Sequence, residues 1–485
     1  MNFKVIMVAT ALAMPIFLKA QNEVDALRYS RTDFAGSARS LGMGGAFGAL
    51  GADLSAFTSN PAGLGIYKRG GIEFAFGVHD TQNRSRYEDG SAEGQKSNFY
   101  LNNVGIVGST KPKHPSWTAS NFGIAYNKIS DYNENLLISG NAFNTTLLDV
   151  FTSEAAAIHP DDITDAVPFT AGLAYQTFLI NPADDNGTYY LPEFSGGTVL
   201  QTKRINRTGR SSETSFSYGA AYLDRLYFGV GVGFVGTRFN ESAFYKESEF
   251  EADEVLSSWS YSEELRTRGT GLNLKLGVIG RVQEWLRVGV AFHSPTYLSL
   301  SDSYSTEMNS YFKNGDKYDY ESPLGSFNYS LRTPARYMAN VAFVLGKAGV
   351  VSADYEYMDY STAKLRSTGS LSDYDFSAEN QAISDIYRGT HTVKAGVEWR
   401  VAEAIRLRTG AAYRQSPFVS GAAINSPEIM YTGGFGFRKD SFSIDFSLAY
   451  QDRDESYFLY DPSVVSETKI DKTRWFGLLS LGFRY

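Results

Sequence analysis

Beyond residue 70 the chain alternates apolar and polar residues with a period of two, and the last segment does so most plainly. Trp475, Gly477, Leu479, Leu481, Phe483 and Tyr485 fall on one face, and Arg474, Phe476, Leu478, Ser480, Gly482 and Arg484 on the other. Successive side chains of a strand point to opposite faces, so an apolar stripe with aromatic ends is what a strand needs to face a bilayer. The same rhythm runs through Phe442, Ile444, Phe446, Leu448 and Tyr450, and through Val393, Ala395, Val397 and Trp399. It recurs in Leu226, Phe228, Val230, Val232 and Phe234, and in Ile405, Leu407, Thr409 and Tyr413.

The links between these runs come in two kinds. Tight ones fall at Asp224-Arg225, Gln283-Glu284, Gly346-Lys347, Ala402-Glu403 and Lys439-Asp440, with a longer one at 111–119 that holds two prolines. Long polar stretches lie near 80–96, 132–212, 246–259, 303–324, 363–387, 415–427 and 453–472. Short and long links alternate, as periplasmic turns and extracellular loops do in an outer-membrane barrel. The count predicts fourteen strands over residues 71–485. The fold class is therefore all-β: a 14-stranded antiparallel transmembrane β-barrel with a long extracellular loop at 132–212 and both termini in the periplasm.

The N-terminus changes the picture. Lys4, an apolar run at 5–18 and the small residue Ala20 read as a signal peptide over residues 1–20. No later stretch offers eighteen consecutive apolar residues, which excludes helical spans. Mean hydropathy is −0.26, a value that a barrel with one apolar and one polar face reaches easily. Aromatic residues make up 14% of the chain and supply interfacial girdles, while Cys is 0 and no disulfide framework is available. A net charge of −8 leaves no basic footprint for nucleic acid. A barrel of this width is not filled by its own wall, so residues 21–70, which do not read as strand, are expected to plug the lumen as an N-terminal hatch.

Inside that segment, the glycines of Ser40-Leu41-Gly42-Met43-Gly44-Gly45 have Gly-x-Gly spacing. The strand and long helix of a dinucleotide-binding loop are missing around them, so close backbone packing is the better reading. Further on stands Asn60-Pro61-Ala62-Gly63-Leu64. Placed just ahead of strand one of a fourteen-strand barrel, it resembles the hatch of the long-chain fatty-acid and aromatic-hydrocarbon transporter (FadL/TodX) family. Leu331-Arg332-Thr333-Pro334, Asp354-Tyr355-Glu356-Tyr357 with Asp359-Tyr360-Ser361, and Arg408-Thr409-Gly410 to Tyr413 with Ser416-Pro417 are similar to that family's pattern in the second half of the barrel.

The resemblance implies passive transport of hydrophobic small molecules. Extracellular loops capture the ligand, the hatch at Asn60, Pro61, Ala62 and Gly63 gates it, and a kink in strand three releases it sideways. Gly123 is the candidate kink, with an ordinary strand glycine as the alternative. Within 132–212, the run Leu147, Leu148, Val150, Phe151, Ala155, Ala156, Ala157 and Ile158 is expected to form a ligand-capturing lip, or else a small core of the loop. Lys394, Arg400, Arg406, Arg408 and Arg474 face the lumen. Arg406, Arg408 and Arg474 are candidate contacts for a ligand carboxylate, against the alternative that they pair with wall acids such as Glu398 and Asp445. His79, His114, His159, His293 and His391 show no paired spacing, so no haem site, metal site or cofactor is expected, and no catalytic set is placed. The expected partners are the hydrophobic ligand, outer-membrane lipid with lipopolysaccharide, and the barrel-assembly machinery. A diffusion porin for polar solutes, or a receptor for haem or another ligand, is the competing function.

Overall fold

The computed structural model describes residues 23–34, 36–184, 187–251, 255–368, 374–420 and 426–485. The expected signal peptide, residues 1–20, lies outside the described residues. Fourteen antiparallel strands close into a ring: β1 (Gly71–Tyr87), β2 (Gly90–Thr110), β3 (Trp117–Asp131), β4 (Thr198–Tyr222), β5 (Leu226–Ser248) and β6 (Leu256–Gln283) make the first part. Next come β7 (Leu286–His293, resuming as Tyr297–Phe312), β8 (Gly325–Arg332, resuming as Arg336–Val344) and β9 (Gly349–Asp359, resuming as Lys364–Ser367). The last five are β10 (Gly389–Arg400), β11 (Ile405–Arg414), β12 (Glu428–Lys439), β13 (Phe442–Tyr457) and β14 (Thr468–Arg484). Closure is made by β1 against β14, from Gly71↔Arg484 to Arg86↔Lys469. Closing the sheet leaves no edge in hydrocarbon, the condition a β-structure must meet to span a bilayer.

Exposed apolar side chains form a belt around the short-turn half of the ring. Phe74, Phe76 and Val78 on β1, Phe228, Val230 and Phe234 on β5, and Leu272, Leu274 and Leu276 on β6 all belong to it. Beyond the belt the strands continue as polar hairpins. The stretch 80–96, expected as a loop, is a hairpin in which Tyr87 pairs with Gly90. Likewise β5 pairs with β6 out to Ser248↔Ser258, and β13 with β14 out to Tyr457↔Thr468. These segments no longer face lipid, so their outer face turns polar while the ladder continues and the inner face stays buried, and hydropathy hides them.

The loop 132–212 also differs from the expected lip. It holds helices α3 (Leu147–Ala155), α4 (Ile163–Ala166) and α5 (Ala171–Gln176). Leu147, Leu148, Phe151 and Ala155 are buried in one apolar core with Tyr87, Tyr245, Trp259, Tyr261 and Met308 of the extended strands. The run is the inner face of a roof, not an exposed lip, because an amphipathic helix covers its apolar stripe wherever a partner is in reach. Glu247, fully buried, accepts from Thr146 Oγ1 at 2.5 Å, Leu147 N at 3.0 Å, Tyr245 OH at 2.6 Å and Trp259 Nε1 at 3.0 Å. That carboxylate caps α3 and ties the roof to the strands beneath it.

Candidate functional site

The described residues of 23–67 pack against inward-facing side chains of the wall. They comprise α1 (Glu23–Ser30), α2 (Ala38–Gly42) and two 3-10 turns, Leu54–Phe57 and Pro61–Ile66. An irregular segment away from water must find partners for its backbone groups, and here the wall supplies them from every side. Asp354 Oδ2 on β9 accepts from both Phe47 N and Gly48 N at 2.9 Å. Ala38 N donates to Ser480 Oγ on β14 at 2.8 Å, and Gly44 N to Thr432 Oγ1 on β12 at 3.0 Å. Lys275 Nζ on β6 donates to Phe57 O at 2.7 Å, Arg287 Nη1 on β7 to Leu50 O at 2.9 Å, and Asn121 Nδ2 on β3 to Leu64 O at 2.6 Å. The segment is thus bonded to inward-facing side chains of strands from several sides of the ring.

Asn60 and Pro61 form a closely seated turn of this segment. Pro61 stands at the first turn of its 3-10 helix, where its fixed φ fits and its missing N–H costs nothing. Asn60, 1% exposed, accepts from Ala62 N at 3.1 Å and donates through Nδ2 to Val290 O at 3.2 Å. The wall is thinned beneath it by glycine. A Cβ at Gly229 would stand 2.1 Å from Pro61 C, and one at Gly277 would stand 2.0 Å from Asn60 Oδ1. On the far side a Cβ at Gly410 would stand 2.3 Å from Gly44 N. Ala62 is fully buried, and Gly63 is buried with its carbonyl accepting from Ala52 N at 3.0 Å.

Charged contacts complete the seat. Arg39 reaches Glu398 on β10 with two bonds of 2.8 Å. Arg408 on β11 donates to the same carboxylate at 2.7 Å and pairs with Asp445 at 2.7 Å. Of the candidate ligand contacts, Arg408 is thus committed to the wall, Arg474 faces Asp33 of the plug at 3.5 Å, and Arg406 has no ion pair among the described residues. At the far end of the plug, α1 packs beside α6 (Ser377–Ile386), and Tyr387 OH donates to Glu23 O at 3.0 Å. The first described residue therefore sits at the long-loop end of the lumen, whereas β1 starts at the short-turn end. Asp25 on α1 is buried beside Arg28; burial pushes its pKa up to about 7 although the guanidinium opposes the shift.

Gly123, the candidate kink, is paired on both sides, with Val107 of β2 and Ser217 of β4. Its missing side chain makes room for Phe57 of the plug, whose Cζ would stand 2.6 Å from a Cβ there. The irregularity lies four to seven residues further on. The β2–β3 ladder stops at Asn103↔Asn127. At that level β2 bulges between its pairs with Ala75 and Phe76 of β1, and β3 bulges between Lys128 and Ser130. Past Asp131 the chain continues as Glu134–Phe143, paired with β4, while Asn135 Nδ2 reaches across to Gln95 O at 3.0 Å. Paired bulges turn a strand aside, and no local sequence signal announces this one.

Where the ladder ends, side chains bridge the wall. Lys128 Nζ sits 3.2 Å from the ring centroid of Tyr100 on β2 and 2.8 Å from Asp131 Oδ2. Just inside lies a small cavity lined by Phe34, Leu41, Tyr100, Met430, Phe476 and Leu478, with Asp33, Asn102 and Lys128 at its polar edge. It is an apolar pocket between plug and wall, adjoining the point where backbone pairing lapses.

The sequence pattern of a family described as outer membrane protein transport protein (OMPP1/FadL/TodX) matches residues 194–472, more than half of the chain. Compared by whole sequence with curated proteins, the chain matches none. Solved structures share the fold at low identity. A Pseudomonas aeruginosa FadL homologue superposes with a TM-score of 0.56 at 13% identity, covering 93% of this chain and 98% of that one. The Pseudomonas putida toluene transporter TodX gives 0.56 at 12% identity, covering 93% and 99%. The Ralstonia pickettii toluene transporter TbuX gives 0.53 at 14% identity, covering 93% and 98%.

Proposed function

The chain belongs to the OMPP1/FadL/TodX family of outer-membrane transport proteins, and on that premise we propose that it passes long-chain fatty acids or similar hydrophobic small molecules through the outer membrane without energy input and without catalysis. The observation that carries this reading is the apolar cavity between plug and wall beside the end of the β2–β3 ladder. In this reading the long-loop end faces outward, amid lipopolysaccharide, and the strands begin and end in the periplasm. The aromatic end of β14 serves the barrel-assembly machinery, after removal of a signal peptide over residues 1–20.

The ligand passes beneath the roof, shifts the hatch around Asn60-Pro61-Ala62-Gly63, and occupies the apolar cavity. It leaves sideways between β2 and β3, so its chain moves from one apolar environment to another and never enters water. The bulges at Asn102 and Lys128–Ser130 favour that exit over one at Gly123. Arg406 remains the one candidate carboxylate contact free of an ion pair, although it lies at the short-turn end of β11.

The test is uptake into cells or vesicles of a homologous fatty-acid series beside sugars of similar size. Each buried methylene contributes about 0.8 kcal/mol, so affinity should rise about fourfold per carbon until the cavity is full. Deleting residues 21–65 should raise conductance in planar bilayers. Sugars that permeate as fast as lipids would favour a diffusion porin, and unchanged conductance would remove the hatch from the mechanism.

A further inference from the structure

A second cavity lies against strands β8 to β11 and shares Asp33 with the apolar one. Its chemistry is opposite. The plug contributes hydroxyls from Ser40, Ser55, Thr58 and Ser59, and the wall contributes Arg336, Lys394 and Arg414 beside Asp354 and Glu356. Phe34 stands between the two spaces: it lines the apolar cavity, and the Arg414 guanidinium lies 4.4 Å from its ring centroid.

Resting on the transport reading above, we propose that this second cavity is a head-group subsite, and that the transported amphiphile carries a neutral, multiply hydroxylated polar end. Its single apolar chain lies across Asp33 in the neighbouring cavity. The lining balances: Arg336, Lys394 and Arg414 stand against Asp33, Asp354 and Glu356. These charges are also committed already. Glu356 pairs with Arg336 at 2.7 Å and Lys394 at 3.4 Å, and Arg414 pairs with Glu428 at 3.3 Å. A carboxylate head would have to take a cation from its partner and leave a buried acid unpaired, which is costly.

A hydroxyl both donates and accepts, so it can join groups that are already paired without breaking them. Ser55 is 1% exposed, and its Oγ has no partner among the described residues; nor does the buried Nε of Arg336. Both are free to bond a neutral head.

The experiment titrates the full-length protein, held in amphipol, with decyl glucoside, decanoate and decanol below their aggregation concentrations. Decyl glucoside should bind about tenfold more tightly than decanoate, the equivalent of one or two net hydrogen bonds. The double variant Ser55→Ala/Thr58→Val should lose that advantage and bind decanol unchanged. Decanoate binding as tightly as the glucoside overturns the head-group subsite while leaving the transport reading intact. Binding of none of the three removes the transport reading and the subsite together. If the double variant does not assemble, which heat-modifiable mobility reports, the wild-type ranking decides alone.

Discussion

Substituting Gly229→Ala should unseat the plug without unmaking the barrel. The added Cβ would stand 2.1 Å from Pro61 C and 2.2 Å from Ala62 N, both backbone atoms of a capped turn. Ordinary carbon contacts begin near about 3.5 Å, so the turn must retreat by more than an ångström. That movement stretches the 3.2 Å bond from Asn60 Nδ2 to Val290 O. Overpacking of this kind costs about 1–3 kcal/mol, and a shift of that size changes the population of an undocked plug by roughly 5- to 150-fold. The β5 ladder keeps its Gly219↔Gly229 and Gly229↔Gly277 pairs, so barrel melting should stay close to wild type. Because the chain has 0 Cys, a single Ser59→Cys gives a clean probe, and its maleimide labelling rate reports undocking directly. Gly433→Ala serves as the control, since a Cβ there meets nothing within 4 Å. Equal labelling rates for Gly229→Ala, Gly433→Ala and the parent would refute a plug seated by the glycine cradle.

Other perturbations test other contacts. Glu398→Gln weakens the paired bonds to Arg39 and the bond to Arg408; a loss of about 1.5–3 kcal/mol should speed Ser59→Cys labelling at least tenfold, and an unchanged rate would assign this carboxylate to the wall alone. Tyr100→Leu removes the ring beneath Lys128 while keeping the Lys128–Asp131 pair. With a cation–π contact contributing about 1–2 kcal/mol, fatty-acid uptake should rise about fivefold or more if exit between β2 and β3 limits it, and unaltered uptake speaks against that exit. Docking of α1 should depend on pH through Asp25. Its pKa in the docked state, about 7, lies above the ordinary carboxyl value near 3.8, so the stabilisation is complete below about pH 4 and is lost as pH rises through 7. Hydrogen exchange at residues 23–30, corrected for intrinsic rates, should therefore be slower at pH 5.5 than at pH 8.5, and Asp25→Asn should abolish the difference; a difference that survives in the variant would place the switch elsewhere.

Much of this was legible in the residues, for a simple reason. In a barrel wall each residue sees lipid or lumen according to its parity, so a period of two and the spacing of turn residues give strand number, order and closure from the chain alone. Trp475 to Tyr485 could be assigned to faces one residue at a time, and the low apolar periodicity of residues 21–70, with Asn60-Pro61 at their end, marked a segment that had to find its partners elsewhere. What tertiary structure alone decided was how elements distant in sequence meet. The polar hairpins beyond the belt are held by backbone ladders that hydropathy does not record. The apolar run at 147–158 reads equally as lip or core until Trp259 and Tyr261 arrive to cover it. Arg406, Arg408 and Arg474 share one face of their strands, yet only the fold gives Arg408 to Glu398 and Asp445 and Arg474 to Asp33. The lapse in the wall at Asn102 and Lys128 depends on where three neighbouring strands fall out of register, a relation between chains of contacts that no single stretch of sequence contains.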